Sequence, residues 1–393
     1  MRIAVGKPVV VRAPHEVSTD AIEADWLARW PPETRLPEQR RRLAGALRMV
    51  RSTTVANRPW VAPLEVVGDG ARDAREVYEA AFAAVVDMAA EAAHGALAAA
   101  GLAPEDVDCV VTTHTTSWTI PQLDVALVNR LGLRRDVARV PAATLACAGG
   151  AHALVQATRY LAGRPEGVVL VVAGEALSIL HMPWREPTRT GVLYGALFGD
   201  SAGAAVVAGA GRRQEDSARR LVAAGGGLVA DVETWEWLQH GESPYWGELH
   251  PGGVPGAGRI TFESNRDATK GARETMPHLV KWLNGRQVDW AVVHPGGPGI
   301  IADTVDALGL PPEAGRHSAD SLRGGNLGGV AVLDVLRRTL DEGPARGPGL
   351  LVAYGPGFTA DALFLDVPEA DVPEADVPGA DVTGTTVPGA ATP

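Results

Sequence analysis

The sequence has very few cysteines, and this scarcity excludes several kinds of protein. Cys109 and Cys147 are the only two in 393 residues. Two cysteines cannot form the disulfide framework of a small secreted protein, and their spacing matches no common metal-ligand pair. We therefore interpret each one as a free thiol.

Long apolar runs and basic patches are also lacking. No window holds the roughly 18 to 20 uninterrupted apolar residues of a membrane-spanning helix. The N-terminal stretch MRIAVGKPVVV lacks the basic, apolar and small-residue order of a signal peptide. The one basic cluster, EQRRRLAGALRMVR, is short, which argues against nucleic acid as a partner. These absences predict a cytoplasmic protein without a membrane segment.

The C-terminal end of the chain contains no basic residue. Residues 366–393 hold six of the acidic residues that give the chain its net charge of −11, so the remaining body carries −5. Their repeat, DVPEADVPEADVPGADV, has proline at every fifth position and almost nothing to bury. We predict that residues 367–393 form a disordered or polyproline-like tail outside the fold.

Helical and extended patterns alternate along residues 1–366, which predicts an α/β architecture. A long alanine-rich helical pattern ends at Gly101 and precedes the strand-like run DVDCVVTTHT. A helical pattern near residues 270–284 precedes VDWAVVHPGG in the same way. Because the chain is too long for one simple core, this correspondence predicts two related halves, residues 1–208 and 209–366.

Cys147 stands in TLACAGGAHALVQATRYLAG, where an apolar run meets an alanine-rich helical pattern. A cysteine in the first turn of a helix faces unpaired backbone N–H groups and the positive end of the macrodipole, which lower the pKa of a thiol. The AGG that follows leaves the thiol uncrowded. The alternative interpretation is that Cys147 is a small buried apolar residue. Two polar residues much further along the chain favour a nucleophile instead.

The two polar residues that favour a nucleophile are His294 and Asn326, and both stand at the ends of predicted elements. His294 follows a strand pattern and precedes a Pro/Gly loop, while Asn326 follows two glycines and precedes a helical pattern. Alone, the histidine also fits a hydrogen-bonded loop residue and the asparagine also fits a helix N-cap. Together with Cys147 they follow one another in the order Cys, His, Asn, which is a known pattern.

The sequence resembles type III polyketide synthases, the chalcone-synthase-like branch of the thiolase superfamily. The resemblance lies in the order of Cys147, His294 in HPGGP and Asn326 in GNLGG. LFGDSAGAAVV is similar to the family's LFGDG segment, and AYGPGFTADALFL to its C-terminal GFGPGLT signature. The resemblance covers about residues 8–366 and is strongest over 107–208 and 288–365. It implies a bacterial-type enzyme with the five-layered αβαβα thiolase fold, two pseudo-equivalent halves and a homodimer.

The resemblance also implies a chemistry of iterative decarboxylative Claisen condensation. Cys147 would take an acyl group from a starter coenzyme A thioester as a thiolate paired with imidazolium. His294 and Asn326 would stabilise the enolate that decarboxylation of malonyl-CoA generates. Cyclisation to an aromatic or pyrone product would follow, and no metal or redox cofactor would be required.

Further positions match the family's cavity. Phe198 and Phe262 match two gatekeeping aromatics between the coenzyme A tunnel and the cavity, with ordinary core phenylalanines as the alternative. Ile120, just before Pro121, matches a residue that reaches across the dimer interface into the partner's cavity. Positions that match the cavity wall are Thr115, Thr116, Ser117, Leu177 and Leu180. The two leucines stand where threonine is frequent in the family, which implies a more apolar wall.

The mouth of the coenzyme A tunnel is basic in the family, because it binds phosphates. Arg48, Arg51 and Arg58 fit that region, and a solvated helix face explains them equally well.

Three alternatives are weighed against this interpretation. A ketoacyl-ACP synthase III shares the Cys, His and Asn set but usually shows HQAN and GNTS where this chain has HPGG and GNLGG. A hydroxymethylglutaryl-CoA synthase needs a catalytic glutamate before the cysteine, and the pattern assigns none. A non-catalytic acyl-CoA-binding member is disfavoured by the intact set of Cys147, His294 and Asn326.

Overall fold

A computed structural model describes residues 1–116, 119–182, 188–210, 221–222, 226–343 and 345–368. Ser117 and residues 369–393 of the predicted tail lie outside the described residues. The predicted start of the tail at residue 367 is wrong, because Val367 is buried and is the last residue of the final strand. The α-helices are α1 Thr19–Arg29, α2 Pro37–Ser52, α3 Leu64–Val67, α4 Ala74–Ala99, α5 Leu123–Leu131, α6 Gly149–Gly163, α7 Arg189–Leu197, α8 Gly271–Leu283, α9 Pro298–Ala307, α10 Arg316–Arg323 and α11 Ala331–Asp341. The strands are β1 Arg2–Gly6, β2 Val9–Arg12, β3 His15–Ser18, β4 Asn57–Trp60, β5 Cys109–His114, β6 Ala138–Ala143, β7 Val168–Glu175, β8 Ser201–Gly209, β9 Gly227–Leu238, β10 Tyr245–His250, β11 Arg259–Ser264, β12 Trp290–Val293, β13 Gly347–Gly355 and β14 Thr359–Val367.

The largest sheet among the described residues has ten strands. Its order is β12-β13-β14-β9-β1-β8-β7-β5-β6, and β2 pairs with β8 beside this path. β1 runs antiparallel to β8 on one side and to β9 on the other, so it joins the strands of the two halves. β5 is parallel to β6 and β7, and β12 is parallel to β13, because long crossover segments containing helices connect them.

Three apolar clusters divide the fold into layers. The middle cluster packs α6 and α11 between the two halves of the sheet and includes Val111 and Leu351. α4 and α5 cover the opposite face of the N-terminal half, where Val110 points. α8 and α9 cover the opposite face of the C-terminal half, where Leu350 points. The predicted five-layered αβαβα architecture is confirmed.

The two halves share one strand order on either side of the junction between β1 and β9. Toward this junction, β5, β7, β8 and β1 in one half correspond to β12, β13, β14 and β9 in the other, and β6 lies outside β5. In each half a short 3₁₀ turn precedes the central helix: Ala146–Ala148 precedes α6, and Gly328–Val330 precedes α11. Cys147 and Asn326 lie at these two turns, which is why segments so distant in sequence meet in space.

The boundaries of α4 follow from its sequence. The carboxylate of the N-cap residue Asp73 accepts hydrogen bonds from the backbone N–H groups of Arg75 and Glu76. The helix ends before Gly101, whose φ of +66° is a conformation that glycine adopts at little cost. The predicted stop at Gly101 is therefore confirmed.

α4 is also the one helix within the described ranges that is long and apolar enough to cross a membrane by length and composition. Half of its most apolar window is buried inside the fold, and Val85, Ala89 and Ala92 are fully buried against the sheet. A core helix passes the same test, so the packing of α4 accounts for its apolar composition.

Candidate active site

Cys147 lies in the middle of the turn Ala146–Ala148, directly before α6. Ala146 has a left-handed φ of +46°, a conformation that costs a residue with a side chain about 1–2 kcal/mol. The surrounding structure must hold such a residue in place, as it commonly does at functional sites. Here the hydroxyl oxygen of Thr115 accepts a 3.0 Å hydrogen bond from the Ala146 N–H and fixes the turn.

The glycines after Cys147 allow α6 to approach its neighbours closely. A Cβ on Gly149 would lie 2.3 Å from the hydroxyl oxygen of Thr113. A Cβ on Gly150 would lie 2.1 Å from the carbonyl oxygen of Gly329. Glycine at position 149 therefore lets α6 approach β5, and glycine at position 150 lets it approach the Gly328–Val330 turn.

Asn326 is held by its backbone and by its side chain. Its N–H donates to the carbonyl of Leu197, and its carbonyl accepts from the N–H of Gly199, both at 2.9 Å. Its Oδ1 accepts a 2.9 Å hydrogen bond from the Gly328 N–H. Its Nδ2 lies 4.0 Å from the Sγ of Cys147. The side chain therefore caps the following turn and also points its amide donor at the thiol.

His294 follows β12 and is 1% exposed. Its backbone N–H donates to the carbonyl of Val352 at 2.9 Å, while neither ring nitrogen has a hydrogen-bond partner among the described residues. Burial disfavours the charged ring and lowers the pKa of His294 to about 3. The lowered pKa favours a neutral imidazole at physiological pH, whereas the family resemblance implies an imidazolium.

The thiol of Cys147 departs from its predicted acidity. Its pKa is raised to about 12, first by burial and next by the negative charge of Glu175, while the hydrogen bond from Asn326 acts in the opposite direction. Burial and a neighbouring carboxylate therefore act against the lowered pKa that the helix terminus predicts. The raised pKa of Cys147 and the lowered pKa of His294 both favour the neutral form of the side chain.

Glu175, the last residue of β7, is a site residue that the sequence pattern did not reveal. Its side chain is 0% exposed. Its carboxylate accepts hydrogen bonds from the Thr115 N–H at 3.0 Å and from the hydroxyls of Thr115 and Thr116 at 3.2 Å each. Burial raises the pKa of Glu175 to about 7, against the effect of these hydrogen bonds. The available sequence signal was a charged residue that ends the otherwise apolar run VVLVVAGE.

Four aromatic rings form a contiguous wall. The ring of Tyr194 lies 5.7 Å from that of Phe198 and 5.1 Å from that of Phe262. Tyr245 stacks on Phe262 at 5.2 Å. Burial raises the pKa of both tyrosines, to about 12 for Tyr194, and the nearby Cys147 contributes in each case. The structure thus brings the two predicted phenylalanines together through Tyr194 and adds two tyrosines that sequence reasoning missed.

The other predicted wall residues divide into two groups. Leu177 and Leu180 lie on the turn Leu177–Leu180 and pack in the same apolar cluster as Cys147. Thr115 and Thr116 instead direct their hydroxyls to the buried carboxylate described above.

Two of the three arginines expected at a tunnel mouth lie exposed on α2. Arg48 forms no ion pair with any residue that the structure describes. Arg51 forms ion pairs with Asp20 and Glu23, both at 2.6 Å. Arg48 is therefore freer than Arg51 to bind an anion.

Arg58 has a structural role. It is 0% exposed, and its guanidinium donates to the carbonyl of Val17 at 3.0 Å and to the hydroxyl of Thr19 at 2.6 Å. Burial lowers its pKa to about 10. The expectation that Arg58 lies at a tunnel mouth is wrong, because a fully buried guanidinium cannot reach a ligand at the surface.

Within the part of the chain that the structure describes, two groups of side chains have donor atoms close enough to hold a metal ion: His152, Glu236 and Asp361, and Glu248, His250 and Glu263. In the first group the imidazole Nδ1 lies 2.9 Å from Asp361 and 3.3 Å from Glu236, so hydrogen bonds and charge already hold it together. Neither group includes Cys147 or His294.

We expect iodoacetamide to modify Cys147 before Cys109. Cys109 is 0% exposed in β5, and burial raises its pKa to about 11. Cys147 is partly exposed, so access and not acidity decides the order. Peptide mass spectrometry after limited alkylation at mildly alkaline pH measures both sites. Preferential labelling of Cys109 would contradict this description of the two thiols.

Residues 61–212 match the family model described as chalcone and stilbene synthases, N-terminal domain. The chain is 32% identical over 323 residues to 1,3,6,8-tetrahydroxynaphthalene synthase of Streptomyces griseus, covering 80% of this chain and 81% of the relative. It is 30% identical over 330 residues to phloroglucinol synthase of Pseudomonas fluorescens, covering 81% and 88%. The solved structure of germicidin synthase from Streptomyces coelicolor, a type III polyketide synthase, superposes with a TM-score of 0.80 at 30% identity and covers 93% of this chain and 100% of that one.

Proposed function

Because the chain belongs to the type III polyketide synthase family, we propose that Cys147, His294 and Asn326 carry out the family's condensation reaction in it. Enzymes of this family are acyltransferases that act on coenzyme A thioesters and extend them with malonyl-CoA. The observation that carries the proposal is the meeting of two turns from opposite halves, which leaves Asn326 Nδ2 4.0 Å from Cys147 Sγ.

Loading starts with a neutral Cys147 thiol and a neutral His294 imidazole. Cys147 Sγ attacks the carbonyl carbon of the starter thioester while its proton passes to the ring of His294. The carbon–sulfur bond to coenzyme A breaks, and the leaving coenzyme A thiolate takes this proton from the His294 ring. A neutral imidazole is the form that a general base needs, and burial favours that form of His294.

Extension requires an enolate. Malonyl-CoA loses carbon dioxide, and the electron pair of the broken bond passes to the thioester oxygen. Hydrogen bonds from Asn326 Nδ2 and from the His294 ring N–H, which has no other partner among the described residues, stabilise that oxygen. The enolate carbon then attacks the acyl-Cys147 thioester, forms the new carbon–carbon bond and releases the thiolate for the next round.

The aromatic residues and leucines described above form the cavity wall. Phe198 and Phe262 separate the coenzyme A tunnel from the cavity, and Leu177 and Leu180 make the wall apolar. We assign an aromatic or pyrone product. Two of the relatives are named for aromatic products, tetrahydroxynaphthalene and phloroglucinol.

Assembly and substrate entry complete the proposal. The enzyme acts in the cytoplasm as a homodimer, and each chain has two halves, residues 1–208 and 209–366. Ile120 is 96% exposed in the single chain and enters the partner's cavity. Arg48 binds a phosphate of coenzyme A, since its guanidinium is exposed and has no ion pair within the described residues.

The proposed function is tested by mixing the protein with hexanoyl-CoA and malonyl-CoA. Mass spectrometry should find a hexanoyl adduct on the peptide that contains Cys147 and released pyrones or aromatic polyketides in solution. The variant Cys109→Ala is the matched control and should give both. An enzyme that requires an acyl carrier protein would load the starter and release nothing, and a non-catalytic binder would give neither signal. Either result would overturn the proposal.

A further inference from the structure

A short stretch of backbone joins α7 to β8 and carries Phe198. One edge of it faces Asn326: the carbonyl of Leu197 accepts from the Asn326 N–H, and the N–H of Gly199 donates to the Asn326 carbonyl. The other edge faces β4, because the Phe198 carbonyl and the Asp200 N–H point in that direction. The backbone of Asn326 is therefore held against a stretch that β4 supports from the opposite side.

β4 supports this stretch through Trp60, whose side chain is fully buried. The indole Nε1–H of Trp60 donates a 3.1 Å hydrogen bond to the carbonyl of Phe198. The carbonyl of the preceding residue, Pro59, accepts a 2.7 Å hydrogen bond from the Asp200 N–H. A Cβ on Gly199 would lie 2.7 Å from the ring of Pro59, so the two segments are in direct contact. One side-chain N–H of β4 thus holds the backbone of the phenylalanine.

We propose that Trp60 is a positioning residue for the condensation reaction, whose indole N–H fixes the Phe198 backbone and thereby aims the side-chain amide of Asn326. The inference rests on the proposed role of Asn326 as a donor to the enolate oxygen. A buried tryptophan N–H usually has a hydrogen-bond partner, and removing it costs free energy because the buried carbonyl loses a donor. A shift of the stretch toward a new donor would move Asn326 with it, since two backbone hydrogen bonds join them.

The test compares two rates in Trp60→Phe, which keeps an aromatic ring but removes the N–H. Malonyl-CoA decarboxylation should fall about tenfold or more, since small displacements of a group that contacts the transition state cost rate on this scale. Starter loading should stay close to the wild-type rate, because Cys147 and His294 lie on other segments of the chain. Carbon dioxide release from malonyl-CoA and the hexanoyl adduct on Cys147 measure the two rates separately.

Trp26→Phe is the matched control. Trp26 is 2% exposed and belongs to the same apolar cluster as Trp60. Its ring lies 5.1 Å from that of His181, and the ring of Trp60 lies 5.3 Å from it. The Nε1–H of Trp26 has no hydrogen-bond partner among the described residues. Trp26→Phe therefore makes the same change in size in the same cluster without removing a hydrogen bond, so the two rates should keep their wild-type ratio.

Hydrogen–deuterium exchange tests the same inference without substrate. The backbone N–H groups of Gly199 and Asn326 should exchange faster in Trp60→Phe than in the wild type or in Trp26→Phe. Should Trp60→Phe fail to fold, Trp60 is replaced by benzothienylalanine, in which sulfur takes the place of the indole N–H in a ring system of nearly the same shape. This protein should show the same faster exchange and the same selective loss of decarboxylation.

Two results would overturn the inference: unchanged exchange of both amides after the indole N–H is removed, or a decarboxylation rate that falls no further than the rate of starter loading. Wild-type protein that neither loads hexanoyl-CoA nor decarboxylates malonyl-CoA would instead refute the proposed function. The exchange measurement would still decide whether Trp60 holds Asn326 in place.

Discussion

Replacing Cys147 with alanine is expected to abolish polyketide formation, with a loss of about 10⁴-fold or more. The variant has no sulfur to form the acyl-enzyme thioester, and removing the nucleophile of an enzyme costs activity on this scale. The fold should persist, because the side chain contributes only one partly exposed sulfur to the apolar cluster around it. Intact-protein mass spectrometry with a starter thioester and quantification of released product measure the two effects.

Two further variants test the assignment of Cys147 as the nucleophile. Cys147→Gln should retain decarboxylation of malonyl-CoA, because His294 and Asn326 remain to stabilise the enolate. Cys109→Ala should retain the whole reaction, because Cys109 lies fully buried in β5. Undiminished product from Cys147→Ala would refute the assignment of the nucleophile.

His294→Ala and Asn326→Ala should fail in different ways. Without His294 no base accepts the Cys147 proton during attack on the thioester, and the enolate loses one hydrogen-bond donor, so starter loading and malonyl-CoA decarboxylation should both be lost. Asn326 offers a hydrogen bond and no base. Asn326→Ala should therefore keep substantial acylation of Cys147 while decarboxylation falls by about 10²-fold or more. Acyl-enzyme formation and carbon dioxide release are measured separately in each variant.

The structural role of Asn326 needs its own control. Its Oδ1 caps the Gly328 N–H, and removing such a cap costs about 1 kcal/mol of stability. Asn326→Ser retains a capping hydroxyl but lacks the amide donor, so it should be nearly as stable as the wild type and still lose decarboxylation. If Asn326→Ser decarboxylates malonyl-CoA at the wild-type rate, Asn326 is a helix cap alone.

Much of the fold was readable from the sequence, since it depends on local patterns. The periodicity of the alanine-rich segment, with a glycine after it, predicted α4 and its end at Gly101. The glycines after Cys147 predicted an uncrowded thiol, and the close approach that they allow at the start of α6 emerged from the structure. The order of Cys147, His294 and Asn326 in their motifs was enough to suggest a family and its architecture, because each residue ends or begins an element that the pattern already indicates.

The tertiary structure alone decided the electrostatics of the site. The pKa of Cys147 depends on its burial and on Glu175, which comes from β7 and not from the helix that the cysteine precedes. Arg58 looked like a surface cation in the sequence, yet its guanidinium is buried against Val17 and Thr19. Burial and charge act through space, between segments that only folding brings together, so no local pattern contains them.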